Sequence, residues 1–312
     1  CIMHPNNDSI QIGSCVGGSF NKTTDMWNSK YGINFGASNF DTSGVGAWIT
    51  PVERSVYDPN RVYIAGNSLN ISTDFGNTFN IHRLILGGVN KCIALALHPY
   101  SIGNPQKIFA SMAVRGTGTQ GGVTNLYYTN TEGSSWTYVS DTNISLKFVT
   151  DAAVSWNSSS TAWATIGGFL NGQKVYRTDN GGSTWYNISG SLPNVPVNCI
   201  VTDPNSTNGI YIGTDLGVYY GDDNSTDWVP FQNGLPNIEV MDLAVNNYNG
   251  TITAATFGRG LWVSSLYSQC NVDFVHQNGT GSNPRGLEYY AASNSITSYY
   301  TLKGRHWPIP KL

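Results

Sequence analysis

The sequence predicts an all-β protein assembled from repeated four-stranded units. Charged residues make up only 11 % of the chain, whereas 35 glycines and 12 % aromatic residues favour a turn-rich β structure. A hairpin-turn motif that ends in an aromatic residue recurs at intervals of 43 to 57 residues, together with an apolar strand that ends at a corner. Because a lone four-stranded blade leaves both faces apolar, these repeats predict a β-propeller, in which neighbouring blades cover one another.

The inner half of each blade is predicted from an apolar run, a corner and a second strand. His4 and His98 occupy equivalent His-Pro corners, so they are interpreted as turn residues rather than metal ligands. In chain order, the apolar runs lie at residues 2–5, 56–59, 94–99, 152–156, 200–204 and 241–245. The second strands are predicted at residues 10–12, 62–64, 108–110, 162–164, 210–212 and 251–253.

The outer half of each blade is predicted from the turn motif, which joins a third strand to a fourth. In the fullest copy, we interpret Asp179 as the acceptor for turn N–H groups and Gly181 as the residue with positive φ. The indole of Trp185 is expected to pack under that turn. Copies of the motif lie at residues 23–27, 72–79, 129–136, 178–185 and 221–228. The residues assigned to structural roles in these turns are Asp74, Gly76, Asp179, Gly181, Trp136, Trp185 and Trp228.

This motif is the Asp-box, and residues 1–265 resemble the Asp-box (bacterial neuraminidase repeat) β-propellers. That family includes sialidases, sortilin-type receptors and xyloglucanase-type glycosidases. The resemblance implies a propeller over residues 1–268 with about six visible repeats, and Asp-boxes on the rim, away from the central cleft. Because the chain starts directly on a strand, we expect it to be a fragment of a longer protein.

The repeat ends near Cys270, and residues 269–312 are predicted to form a small C-terminal β segment or a linker to a sorting region. Residues 288–298 resemble the segment that precedes or forms the sorting region of cargo proteins of the type IX secretion system in Bacteroidota. One further short β module is an alternative interpretation of the same segment.

Asp215 is the candidate catalytic residue. Residues 212–219 are similar to the stretch that holds a catalytic Asp in xyloglucanase-type enzymes, although Gly213 stands where those enzymes have Arg. Glycoside hydrolysis needs two carboxylates about 5 to 9.5 Å apart, and in those enzymes the second comes from another propeller. No acid facing Asp215 can be named from the sequence, which favours a non-catalytic protein.

Two other groups of residues are candidates for chemistry. A sialidase needs three arginines on the substrate carboxylate, and the candidates for a central position are Arg54, Arg115 and Arg259. A candidate Ca²⁺ site lies in the acidic turn that contains Asp222, Asp223, Asn224 and Asp227, because Ca²⁺ prefers hard oxygen ligands. A solvated hairpin tip explains the same residues, and no other cofactor is expected.

The remaining features concern partners and location. A net charge of −3 gives no support for nucleic-acid binding, and no apolar run is long enough to span a membrane. Ten Asn-x-Ser/Thr sequences are compatible with secretion. We therefore expect a secreted or cell-surface propeller that binds glycan or protein as a non-catalytic binding or scaffold module. The alternative is one part of a xyloglucanase-like glycoside hydrolase whose second propeller is missing.

Overall fold

The computed structural model describes most of the chain as β-strands and tight turns. The described residues are 1–15, 19–35, 49–79, 81–84, 91–99, 106–113, 123–145, 147–225, 227–267, 288–289, 299–301 and 305–307. Twenty-six strands and no helix make up the secondary-structure elements of these residues.

Six antiparallel sheets of four strands form the six blades of a β-propeller, which confirms the predicted fold class. Blades 1 to 3 contain β1 (Ile2–His4), β2 (Asn7–Cys15), β3 (Ser19–Thr23), β4 (Tyr31–Gly32), β5 (Val52–Arg54), β6 (Val62–Ala65), β7 (Ser68–Ser72), β8 (Ile81–Leu84), β9 (Lys91–Leu97), β10 (Ile108–Ala113), β11 (Thr124–Thr129) and β12 (Thr137–Tyr138). Blades 4 to 6 contain β13 (Val149–Val154), β14 (Ala162–Ile166), β15 (Val175–Thr178), β16 (Tyr186–Asn187), β17 (Val197–Asp203), β18 (Gly209–Thr214), β19 (Gly217–Gly221), β20 (Val229–Pro230), β21 (Val240–Asn246), β22 (Thr251–Thr256), β23 (Gly260–Ser265) and β24 (Glu288–Tyr289). A separate hairpin pairs β25 (Tyr299–Thr301) with β26 (Arg305–Trp307).

The apolar core lies between adjacent blades, because each sheet is covered on both faces. The second strands β6 and β14 are buried along their whole length, whereas the two residues of the outermost strand β16 are exposed. Between blades 3 and 4, the ring of Phe109 meets Trp185 edge to face, with the centroids 5.9 Å apart. Burial of side chains of this size stabilises the fold by roughly 1.5–3 kcal/mol each.

Two of the expected boundaries differ in the structure. The innermost strand of blade 2 is β5 (Val52–Arg54), so residues 56–59 form the corner that follows it. The fourth strand of blade 6 is β24, which pairs with Trp262 and Val263 of β23. Residues 288–289 were assigned to the C-terminal segment, and the structure gives them a place in the last blade. Most of the sequence similar to the type IX sorting region, at 290–298, lies outside the described residues.

The propeller has two faces with different loops, which we name by their contents. The corner face carries the corners between first and second strands and the repeated turns between third and fourth strands. Backbone hydrogen bonds join the two loop types within a blade, from Phe75 N to Asn60 O (2.7 Å) and from Gly181 N to Ser160 O (2.8 Å). The turn face carries the turns between second and third strands and the linkers between blades.

Residues 72–79 show how a repeated turn is held together. One carboxylate oxygen of Asp74, Oδ1, accepts hydrogen bonds from the hydroxyl of Ser72 (2.7 Å) and the backbone N–H of Thr78 (2.8 Å). The N–H of Gly76 donates to Ser72 Oγ at 2.7 Å. Gly76 has a φ of +79°, a left-handed conformation that glycine adopts without steric cost.

The same turn in blade 4 is shifted by one residue from the predicted register. Asn180, rather than Asp179, lies two residues after the turn hydroxyl, and its Oδ1 accepts the N–H of Thr184 at 2.9 Å. Gly181 has the predicted positive φ (+70°), but Gly182 is the glycine whose N–H donates to Thr178 Oγ1, at 2.9 Å. The shift follows from the spacing, because Asp74 also lies two residues after Ser72.

Asp179 instead accepts hydrogen bonds from side chains that do not take part in the hydrogen bonds of the turn. The donors are Thr161 Oγ1 (3.0 Å), Arg177 Nε (2.9 Å) and the hydroxyl of Tyr186. Burial opposes its ionisation, but these hydrogen bonds outweigh burial and lower the pKa of Asp179. Asp179 therefore joins the turn to its surroundings and is not the acceptor inside it.

The three tryptophans assigned to structural roles, Trp136, Trp185 and Trp228, lie between blades. The indole of Trp185 donates to Gly182 O at 3.1 Å, and Trp228 donates across to Ile188 O of the preceding blade at 2.7 Å. Trp136 is buried in the apolar cluster that joins blades 2 and 3, and its Nε1 has no hydrogen-bond partner among the described residues. All three side chains therefore contribute to blade packing.

Candidate functional site

The innermost strands surround a central cleft of about 340 Å³ that reaches the corner face. Every blade contributes to its lining, because the first strands of successive blades lie side by side around the centre. One lining residue from each blade, in chain order, is Ile2, Arg54, Leu97, Val154, Thr202 and Val245. The cleft is therefore mainly aliphatic, with few polar side chains.

Arg54 is the cation of this lining. Burial lowers the pKa of its guanidinium, and the charge of Glu53 offsets part of that effect. The described chain provides one hydrogen-bond acceptor for Arg54, the carbonyl of Ser55 at 3.3 Å from Nη1. Val56, next to this pair, is 51 % exposed, so the cleft is open to solvent at this side.

Asp215, the candidate catalytic residue, lies on the turn face, in the turn between β18 and β19. It is half-buried, and its Oδ1 accepts a hydrogen bond from Nδ2 of Asn198 on β17 at 3.0 Å. Asn198 also approaches Val240 O of the next blade at 3.3 Å, which fixes the amide between blades 5 and 6. The candidate is thus held at a junction between two blades.

The structure brings a second carboxylate, Glu239, into the electrostatic field of Asp215. Glu239 ends the linker into blade 6, and its carbonyl accepts the N–H of Phe257 at 2.9 Å. Burial and the negative charge of Asp215 raise the pKa of Glu239. Sequence reasoning missed this residue, because nothing in the local sequence shows that the linker into blade 6 lies near the turn of blade 5. A carboxyl group whose pKa is raised beside another acid has the electrostatic arrangement of an acid–base pair.

A buried cation completes the electrostatics of this region. Lys174 is fully buried, and its Nζ donates to the carbonyl of Gly168 at 2.8 Å. Burial lowers the pKa of Lys174, while the negative charge of Asp215 acts in the opposite direction. The charged groups of blades 4, 5 and 6 therefore influence one another across the turn face.

Large apolar side chains are exposed in the turns next to these charges. We name this set the apolar rim, and its members are Phe169, Leu170, Leu216 and Phe257. Phe169 and Phe257 are 69 % and 68 % exposed, and Leu170 and Leu216 are 50 % and 36 % exposed. Three successive blades thus present aromatic or aliphatic groups to solvent at the same face. A single exposed apolar side chain is normal on a protein surface, whereas a group of them indicates an interaction site.

The other predicted site residues do not assemble into one centre. Arg54 lies in the corner-face cleft and Arg259 in an exposed turn of the turn face, while Arg115 is outside the described residues. The acidic turn of blade 5 uses its carboxylates within the protein. Asp222 accepts from Asn224 N (2.9 Å), Asp223 accepts from Arg177 and from Asn208 Nδ2 (2.7 Å), and Asp227 accepts from Ser191 N (3.0 Å).

No His, Cys, Asp or Glu cluster that could hold a metal ion occurs within the described part of the chain. No helix found there is long and apolar enough to cross a membrane.

Comparison with solved structures gives several similar propellers at low identity. The GH74 xyloglucanase from Xanthomonas campestris superposes with a TM-score of 0.61 at 14 % identity over 86 % of this chain. A YCF48 structure bound to D1 peptide gives 0.57 at 13 % identity over 93 % of the chain. PorZ, an essential surface component of the type-IX secretion system of Porphyromonas gingivalis, gives 0.55 at 15 % identity over 82 %.

Because these matches are partial and of low identity, they support a shared fold and not a shared activity. This chain spans 44 % of the xyloglucanase and 37 % of PorZ, but 82 % of the YCF48 chain. No family model matches the sequence, and no curated protein matches it. At identities of 13 to 15 %, the similarity establishes a shared propeller fold.

Proposed function

We propose that this protein is a non-catalytic binding or scaffold propeller that holds a glycan or protein ligand on its turn face. The observation that carries the proposal is the apolar rim around Asp215 and Glu239. Exposed aromatic rings stack on the apolar faces of sugars or on apolar side chains, and the carboxylates and Asn198 accept or donate hydrogen bonds. Binding needs no more than this arrangement.

The proposal also includes an extracellular or cell-surface location for the protein. The hydrogen-bonded turn at residues 72–79 supports membership of the Asp-box propellers, which include sortilin-type receptors. The similarity to PorZ, a bacterial surface component, supports a secreted or cell-surface location. YCF48 bound to a peptide is a structural precedent for a ligand-binding propeller of similar length.

A glycoside hydrolase related to the xyloglucanases is the second candidate function. The observation in its favour is Glu239, whose pKa is raised beside Asp215, because hydrolysis requires one protonated and one ionised carboxyl group. Under this alternative, Glu239 donates the proton to the leaving group and Asp215 acts as the base or nucleophile. A second propeller would then provide the opposite wall of the cleft.

One experiment separates the two candidates. The purified full chain is applied to a glycan array and a peptide array and screened in parallel for hydrolysis of β-glucans. For the binding module, we expect ligand capture without turnover. Phe169→Ala and Phe257→Ala should each weaken capture by about tenfold, since loss of a stacking aromatic removes roughly 1–1.5 kcal/mol.

Tyr248→Ala is the matched control, because Tyr248 is an aromatic residue on the corner face and is 98 % exposed. Capture that falls equally in Tyr248→Ala and in the apolar-rim variants would contradict a turn-face site. Turnover that disappears in Asp215→Asn or Glu239→Gln would establish the hydrolase and overturn the binding module.

A further inference from the structure

The central cleft of the corner face is a second site, on the opposite side of the propeller from the apolar rim. We propose that it binds a small aliphatic monocarboxylate. The ligand carboxylate pairs with the guanidinium of Arg54, and the hydrocarbon chain lies along the aliphatic wall of the innermost strands. This inference does not depend on the function of the turn face.

The partners of the arginines show that Arg54 differs from the other half-buried ones. Arg61 donates from Nε and Nη2 to the two carboxylate oxygens of Glu132 at 2.6 and 2.7 Å. Arg177 is paired with Asp179 and Asp223. Among the described residues, the ion pairs within 4 Å involve Arg61 and Arg177 and do not include Arg54. A guanidinium forms paired hydrogen bonds with a carboxylate, so Arg54 retains this capacity for a ligand.

The surroundings of Arg54 favour an anion over water. Its single acceptor in the described chain, Ser55 O, lies at 3.3 Å, which is the length of a weak hydrogen bond. Burial lowers its pKa, because the apolar cleft disfavours the charged form, and the charge of Glu53 offsets part of this effect. A bound carboxylate would satisfy the N–H donors and compensate for the desolvation.

The rest of the cleft matches a hydrocarbon chain. The wall continues from Arg54 with Leu95, Leu97, Val154 and Val245. A volume of about 340 Å³ falls within the range of small-molecule pockets, which is about 300–1,000 Å³. Burial of methylene groups against such a wall is favourable, and a polar ligand would leave hydrogen-bonding groups without partners.

A peptide is the less suitable occupant, because its backbone needs hydrogen-bond partners. The N–H groups of Ala152 and Ile200, two lining residues, already donate to Asp151 at 2.9 and 3.1 Å. Asp151 is buried, so it is a fixed partner of both strands. The polar side chains of the lining besides Glu53 and Arg54 are Thr202 and Asn247.

The test compares octanoate with 1-octanol, which has the same chain length without the charge. Binding to the full chain is measured by calorimetry and by the fluorescence of Trp156, a lining residue whose contribution is assigned with Trp156→Phe. We expect octanoate to bind about tenfold or more tightly than 1-octanol, since its carboxylate forms a charge-assisted hydrogen-bonded pair with Arg54. This comparison uses the unaltered protein and does not depend on the folding of a variant.

Arg54→Gln should weaken octanoate binding by about tenfold or more and leave 1-octanol binding unchanged. Arg259→Gln is the control, because it removes an exposed arginine of the turn face. Phe257→Ala should also leave octanoate binding unchanged, which separates this site from the apolar rim.

Three results would overturn the proposal. One is equal affinity for octanoate and 1-octanol in the unaltered protein. Another is octanoate binding that folded Arg54→Gln retains in full. The third is binding of a peptide with a free C-terminal carboxylate, but not of its amide and not of octanoate, which would identify a chain terminus as the occupant.

Discussion

Acidic side chains on the two faces of the propeller have different surroundings. On the corner face, Asp74 accepts hydrogen bonds from Ser72 and Thr78, and its pKa is lowered because these bonds outweigh its burial. On the turn face, burial and a neighbouring negative charge raise the pKa of Glu239. Asp74 therefore contributes to blade structure, whereas the charge of Glu239 is held at a cost that a ligand or a reaction could use.

Aromatic residues show the same difference between faces. Trp185 on the corner face is 1 % exposed and contacts the neighbouring blade, whereas Phe169 and Phe257 on the turn face are 69 % and 68 % exposed. Residues repeated in several blades thus serve the blade. Among the described turns between second and third strands, those of blades 4 to 6 carry exposed apolar residues, which are better candidates for function.

The largest expected effect on stability follows from replacing a corner-face tryptophan. Trp185→Ala should lower the free energy of unfolding by about 3–5 kcal/mol, because it leaves a cavity between blades 3 and 4. Phe169→Ala is the matched control and should change the free energy of unfolding by less than about 0.5 kcal/mol. The measurement is urea unfolding followed by circular dichroism. Equal losses in both variants would remove the distinction between structural and surface aromatics.

The next effect concerns the acceptor of a repeated turn. Asp74→Ala should cost about 1–3 kcal/mol of stability, because the Thr78 N–H and hydroxyl lose their acceptor. Asp8→Ala, at an exposed strand position, serves as the control. The loss of stability in Asn180→Ala should be closer to that in Asp74→Ala than the loss in Asp179→Ala is, because Asn180 occupies the position equivalent to Asp74. A larger loss in Asp179→Ala would restore the register predicted from sequence.

The register in blade 4 and the carboxylate partner of Asp215 show where sequence reasoning ended. Five of the six innermost strands and the repeated turns were predicted because their signals are local and periodic, whereas the innermost strand of blade 2 lies at Val52–Arg54, before the predicted run at 56–59. Asp179 and Asn180 are adjacent residues with similar turn chemistry, so only the hydrogen bonds distinguish them. The charge of Asp215 acts on Glu239 because the linker into blade 6 lies near the turn of blade 5, an arrangement without a short-range sequence signal.

The pH dependence of stability should have opposite signs on the two faces. Asp74 has a lowered pKa in the folded state, so its contribution is present above its ordinary pKa of 3.8 and is lost as pH falls through the folded value. Glu239 has a raised pKa, so it destabilises the fold at neutral pH, and this penalty disappears as pH falls towards 4.5.

Substitution by the amide tests these signs. Glu239→Gln should raise the melting temperature slightly at pH 7 and leave it unchanged near pH 4, since the amide removes the cost of burying the charge and the repulsion with Asp215. Asp74→Asn should lower the melting temperature at pH 7, and the difference from the unaltered protein should shrink as the pH falls. Thermal melts across this pH range provide the measurement. A lower melting temperature for Glu239→Gln at pH 7 would show that its charge is stabilising.

The smallest expected effect is that of calcium on the acidic turn of blade 5. Asp222 accepts from Asn224 N, Asp223 from Arg177 and Asn208, and Asp227 from Ser191 N and Trp228 N. Three carboxylates that point to separate protein donors do not form the convergent oxygen cage that Ca²⁺ requires. We therefore expect the same melting temperature in millimolar Ca²⁺ and in EDTA, with Asp8→Ala as a control for nonspecific effects of charge. A Ca²⁺-dependent rise that Asp223→Asn abolishes would mean that the turn rearranges to bind the ion, and the corner-face acids would then have a role beyond blade structure.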